Sequence, residues 1–86
     1  MKSTYSETYR SLIDRLVRAR KAKGVTQSSL AKSLGRPQSF ISKIENGERR
    51  LDVVEFIEIA QLIGEDPRDI IDALLSSMCR AAPNES

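Results

Sequence analysis

Residues 27–44 read QSSLAKSLGRPQSFISKI. Leu30, Ala31 and Leu34 recur at the spacing of one α-helical face, and Ile41 and Ile44 repeat that spacing after an interruption at Gly35. Thr26 suits the N-cap of the first pattern, and Pro37 suits the first turn of the second, where its missing N–H would be unpaired in any case. Gly35 supplies the residue that tolerates left-handed dihedrals at the end of the first helix. Two short helices crossing steeply at such a turn need a small residue where they pack closest, and Ala31 fills that place. With Leu30, Leu34, Ile41 and Ile44 turned to a shared core, Gln38, Ser39, Ser42 and Lys43 remain on the open side of the second helix.

Those four side chains have the chemistry of a major-groove reader. Gln can bridge adenine N6 and N7, Ser can serve several base edges, and Lys can reach guanine or a phosphate. The regular apolar residues therefore build a rigid elbow, and the polar ones are presented outward.

Working outward, caps and breakers predict five helices, at about 5–23, 27–34, 37–45, 52–63 and 67–78, with 79–86 a disordered tail. Thr4 and Glu7 have capping-box spacing at the first start, as do Asp52 and Glu55 at the fourth, while Asp66-Pro67 opens the fifth. The fold class is all-α, a compact five-helix bundle in one small domain, since a chain of 86 residues cannot support two cores.

Composition removes most other function classes. The chain has no histidine and one cysteine, Cys79, so it lacks the usual zinc ligands and the usual base for an activated nucleophile. No enzyme activity, metal site or cofactor is expected. A polar N-terminus and the absence of any membrane-length apolar run predict a cytoplasmic protein with no membrane partner. The net charge of +2 hides a division. Residues 1–51 carry twelve Lys or Arg against four acids, whereas residues 52–86 carry two against eight. One half attracts polyanions and the other repels them, an oriented electrostatic footprint.

The fourth and fifth helices carry more apolar surface than one small core needs. Val54, Ile57, Leu62, Ile71 and Leu75 are the candidate dimer interface, a self-complementary face that would make the protein a homodimer.

The pattern Q-x-x-L-A-x-x-L-G-x-x-Q-x-x-I-x-x-I-E-N-G, from Gln27 to Gly47, resembles the XRE-like helix-turn-helix family typified by phage Cro and repressor DNA-binding domains. The likeness extends from about Leu12 to Leu75 and implies a lambda-repressor-like DNA-binding domain, a transcription regulator whose partner is double-stranded DNA. By position it implies base-reading roles for Gln38, Ser39, Ser42 and Lys43. It implies phosphate contacts from Gln27, Asn46, Arg49 and Arg50, and a structural ion pair between Arg20 and Glu45. Two positions depart from the family. Arg36 stands at a usually apolar turn position, implying a phosphate contact and a looser turn. Phe40 replaces a small residue, and either packs under the recognition helix or touches a thymine methyl.

The expected mechanism is a homodimeric regulator reading an inverted repeat, with acidic Glu55, Glu58, Asp69 and Asp72 on the side away from DNA. The size suits a phage-type repressor, a restriction–modification controller or an antitoxin. The competing expectation is an antitoxin or adaptor whose apolar fourth and fifth helices bind another protein, such as a toxin or a polymerase.

Overall fold

Local sequence signals set where each helix of the computed structural model begins and ends. The structure describes residues 4–81, with side chains described from residue 7 to residue 78. Helix α1 spans Thr4–Ala22. The expected cap at Thr4 rests on a side chain outside the described ones. Gly24, at φ 71°, turns the chain after α1, and the Val25 N–H closes the turn on the Arg20 carbonyl at 3.1 Å.

Helix α2 spans Gln27–Leu34 and starts where the Thr26 hydroxyl accepts the Ser29 N–H at 3.0 Å. Helix α3 spans Gln38–Glu45. Pro37 stands one position earlier than the sequence suggests: it is the N-cap, with extended ψ of 157°, and its carbonyl accepts the Phe40 N–H at 3.0 Å. A residue whose nitrogen carries no hydrogen loses nothing there, because the cap contributes its carbonyl to the helix and not its N–H.

Helix α4 spans Val53–Leu62 behind a complete capping box. Asp52 accepts the Glu55 N–H at 2.8 Å, and Glu55 in turn accepts the Asp52 N–H at 3.1 Å. Helix α5 spans Pro67–Ala81, three residues past the expected end at Met78. Nothing between Asp66 and Ala81 breaks a helix, and the next proline is Pro83. The rest of the expected tail, 82–86, lies outside the described residues.

All regular structure among the described residues is helical. Ile13 and Leu16 of α1, Leu30 and Ala31 of α2, Ile41 and Ile44 of α3, Phe56, Ile59 and Ala60 of α4, and Ile70 of α5 form one core. Burying an aliphatic side chain of this size contributes about 1.5–3 kcal/mol before entropy is counted. Helices α2 and α3 share the densest packing, α1 lies against α3 and α5, and α4 lies against α2 and α5. The elbow is thus backed by α1 and α4, and the outer face of α3 is left uncovered.

Helix α4 is buried along one side only. Phe56, Ile59, Ala60 and Ile63 point inward, while Val53, Val54 and Ile57 are exposed, as are Ile71, Leu75 and Met78 of α5. Ile57 and Ile71 line the same open groove, together with Phe56 and Pro67. Leu62 is also exposed but stands apart from this face. At about 100° per residue, it is turned roughly 140° from Ile57. Of the expected interface of Val54, Ile57, Leu62, Ile71 and Leu75, Ile57 and Ile71 share this groove, and Leu62 lies on another side of α4.

Candidate nucleic-acid interface

The helical period divides α3 cleanly. Phe40, Ile41 and Ile44 are buried, whereas Gln38, Ser39 and Lys43 are exposed and Ser42 is half-buried. The four candidate readers thus occupy one continuous arc. The turn that aims this arc is tight. Gly35, at φ 69°, donates its N–H to the Lys32 carbonyl at 3.0 Å, and the Arg36 N–H reaches the Ala31 carbonyl at 2.9 Å. This is the paired closure of a Schellman motif, so the looser turn expected from Arg36 does not occur.

Behind the elbow lies a buried ion pair. Arg20 is 7% exposed; its Nε donates to Glu45 Oε2 at 2.7 Å, its Nη2 to Glu45 Oε1 at 3.0 Å, and its Nη1 to the Val25 carbonyl at 2.8 Å. The pair ties the end of α1 to the end of α3. Gln27 extends the network by donating Nε2 to Glu45 Oε1 at 2.8 Å. Its Oε1 accepts Gln38 Nε2 at 3.3 Å, and the Ser28 hydroxyl donates to Gln38 Oε1 at 3.1 Å. Gln38 is thereby held at both ends of its amide. Gln27 has one side-chain N–H left beyond this network, with the backbone N–H groups of the first turn of α2 beside it.

The loop after α3 is equally constrained. Asn46 caps the helix with its N–H on the Ser42 carbonyl at 2.9 Å, and the Glu48 N–H returns to the Lys43 carbonyl at 2.8 Å. The Tyr9 hydroxyl accepts the Leu51 N–H at 3.0 Å, anchoring the far end of the loop to α1. Arg50 is exposed, with its guanidinium carbon 4.6 Å from the centre of the Tyr9 ring.

Arg49 differs from expectation. Its Nη1 and Nη2 form a fork on the Glu55 carboxylate at 2.8 and 3.0 Å, and Nη1 also reaches the Arg50 carbonyl at 2.9 Å. Three of its N–H groups are thus engaged within the fold. Glu55, expected on the side away from DNA, is instead 8% exposed beneath this loop. Glu58, Asp69 and Asp72 remain exposed on α4 and α5.

The hydrogen bond from Arg49 holds the Glu55 carboxyl below its ordinary value of 4.5, against the opposing effect of burial. A carboxylate with a lowered folded value adds stability above its ordinary value and loses it as pH falls through the lowered one. Acidification below about pH 4.5 is therefore expected to depress the melting temperature of the wild type more than that of Glu55→Gln. Melting curves across that range check this, and parallel pH profiles would remove Glu55 as a contributor.

Among the described residues, no group of His, Cys, Asp and Glu is arranged to hold a metal ion, and no helix is long and apolar enough to cross a membrane. The side chain of Cys79 lies outside the described residues.

A family model described as helix-turn-helix matches residues 16–70. The solved structure of an XRE-family like protein from Pseudomonas syringae pv. tomato str. DC3000 is 49% identical, with a TM-score of 0.82, and the match covers 85% of this chain and 89% of that one. The chain belongs to the XRE-family helix-turn-helix proteins. These are DNA-binding transcription regulators and not enzymes, and they bind double-stranded DNA. No curated protein matches the chain. Helices α2 and α3 and the loop at residues 46–51 lie within the matched stretch.

Proposed function

We propose that this XRE-family protein binds an inverted-repeat operator as a homodimer in the cytoplasm and represses transcription there. The observation that carries the reading is the continuous outward arc of Gln38, Ser39, Ser42 and Lys43 on a helix whose other side is buried. Two such helices, roughly 34 Å apart, would enter successive major grooves on one face of the duplex. Gln38 would read a base edge, with its amide already oriented by Gln27 and Ser28. Arg36, Asn46, Arg50 and the N–H groups of Gln27 would meet phosphates and set the register. The exposed face of Val54, Ile57, Ile71 and Leu75 would be covered by the second copy.

Two substitutions separate reading from gripping. Gln38→Ala is expected to cost about 1–3 kcal/mol on the preferred site and to relax preference at particular bases. Arg50→Ala is expected to weaken all sequences alike and to flatten the salt dependence. Titrations against a set of single-base variants of the selected duplex test this. Identical sequence profiles for the two proteins would contradict the division of roles.

The exposed apolar face also suits an antitoxin or adaptor that shields this surface with a different protein. A chain that stays monomeric at all concentrations, and binds duplex without sequence preference, would favour that reading.

A further inference from the structure

Phe40, Arg36, Arg49 and Glu55 form a cluster that joins the helix-turn-helix elbow to the start of α4. The guanidinium carbons of Arg36 and Arg49 lie 4.4 and 4.6 Å from the centre of the Phe40 ring. The two arginines share one carboxylate unequally. Arg49 makes the fork described above, while Arg36 Nη2 stands 3.9 Å from Glu55 Oε2, too far for a hydrogen bond.

Arg49 takes the hydrogen bonds of the carboxylate, so the guanidinium that stays open to solvent is that of Arg36. This side chain is 48% exposed, directly before the N-cap of the recognition helix. A flexible arginine normally loses side-chain entropy when it meets a phosphate. Here the ring supports the guanidinium plane and the carboxylate attracts it from one side, so part of that ordering is already done. Phe40 is 7% exposed and Glu55 8%, so neither can touch the duplex without displacing the core.

We infer that Glu55 and Phe40 are positioning residues that aim Arg36 at a DNA backbone phosphate, and that Arg49 is the clamp holding Glu55 in place. The inference rests on the DNA-binding reading above and gives a function to residues that no base contact requires. It also gives a sign opposite to simple electrostatics. Removing the negative charge of Glu55 would strengthen binding to a polyanion if charge alone mattered, whereas loss of aim weakens it.

The test is a double-mutant cycle on a mixed-sequence duplex, because phosphate contacts are independent of sequence. Each phosphate contact contributes a salt exponent of about 0.9, so losing one lowers the ratio of affinities between about 50 and 200 mM salt by about 3.5-fold. Arg36→Ala is expected to produce that drop in the wild type and a much smaller one in the Glu55→Gln background. Glu55→Gln alone is expected to weaken binding, and Phe40→Leu to do the same. A second readout needs no DNA: relaxation of the Arg36 Nε–H by nuclear magnetic resonance is expected to report order in the wild type and motion in both variants. Stronger binding by Glu55→Gln, with an undiminished effect of Arg36→Ala in that background, would overturn the inference while leaving DNA binding intact. Unchanged Arg36 order in both variants would also overturn it. A wild type with no salt-dependent affinity for duplex would remove the DNA-binding reading and the inference together.

Discussion

Glu45→Ala is expected to lower the stability of the fold by about 3–5 kcal/mol, because it strands a buried cation. Arg20 lies at 7% exposure with two of its nitrogens on Glu45, so the variant keeps only the bond to the Val25 carbonyl. For a chain of 86 residues the whole folding free energy is about 4–13 kcal/mol, so the loss would be a large share of it. The damage extends to α3. Gln27 loses the acceptor that orients it, and Gln38 loses the partner that Gln27 provides. Replacing both members by apolar residues, Arg20→Met with Glu45→Met, is expected to recover most of the stability, since no unpaired charge remains buried. It is not expected to recover site preference, because Gln27 still has no anchor. Denaturant titration and operator binding of the single and double variants check both statements. A loss below about 1 kcal/mol for Glu45→Ala, the range of exposed pairs, would mean that water reaches Arg20 in the folded state.

Ile71→Asp carries the second large effect. Ile71 is 43% exposed and shares a groove with Ile57, so a carboxylate there meets little in the isolated chain. The monomer is expected to keep its stability to within about 0.5 kcal/mol. In a homodimer the same carboxylate would be buried against its own copy and would oppose association. Losing the link between two recognition helices is expected to reduce affinity for a full inverted repeat by about 10²–10⁴-fold, while affinity for a half-site stays the same. Sedimentation and titration against the two duplexes measure this together. Unchanged sedimentation would remove the α4–α5 face from the interface.

Much of this architecture is legible in the sequence because short-range chemistry sets it. Thr26, Gly35, Asp52 with Glu55, and Asp66-Pro67 each mark a helix end through a bond made within four residues. Periodicity alone separates Ile41 and Ile44 from Gln38 and Lys43. What the sequence does not reveal are contacts across the fold that follow no period. Arg49 and Glu55 are six residues apart on either side of a loop, so no helical or strand pattern brings them together. Arg36 and Phe40 are four apart but sit on opposite sides of a turn that ends at Pro37, and the packing of Phe40 against both arginines depends on where α4 begins. Leu62 is the opposite case, since its separation from Ile57 follows from the helical period alone.

The most direct measurement is selection of random duplexes by the purified protein at two salt concentrations, followed by sequencing of the bound fraction. Enrichment of an inverted repeat whose half-sites are one helical turn apart is expected, with binding that weakens steeply at the higher salt. Salt-sensitive binding with no enriched sequence would contradict it, because the exposed arc of α3 would then grip DNA without reading it.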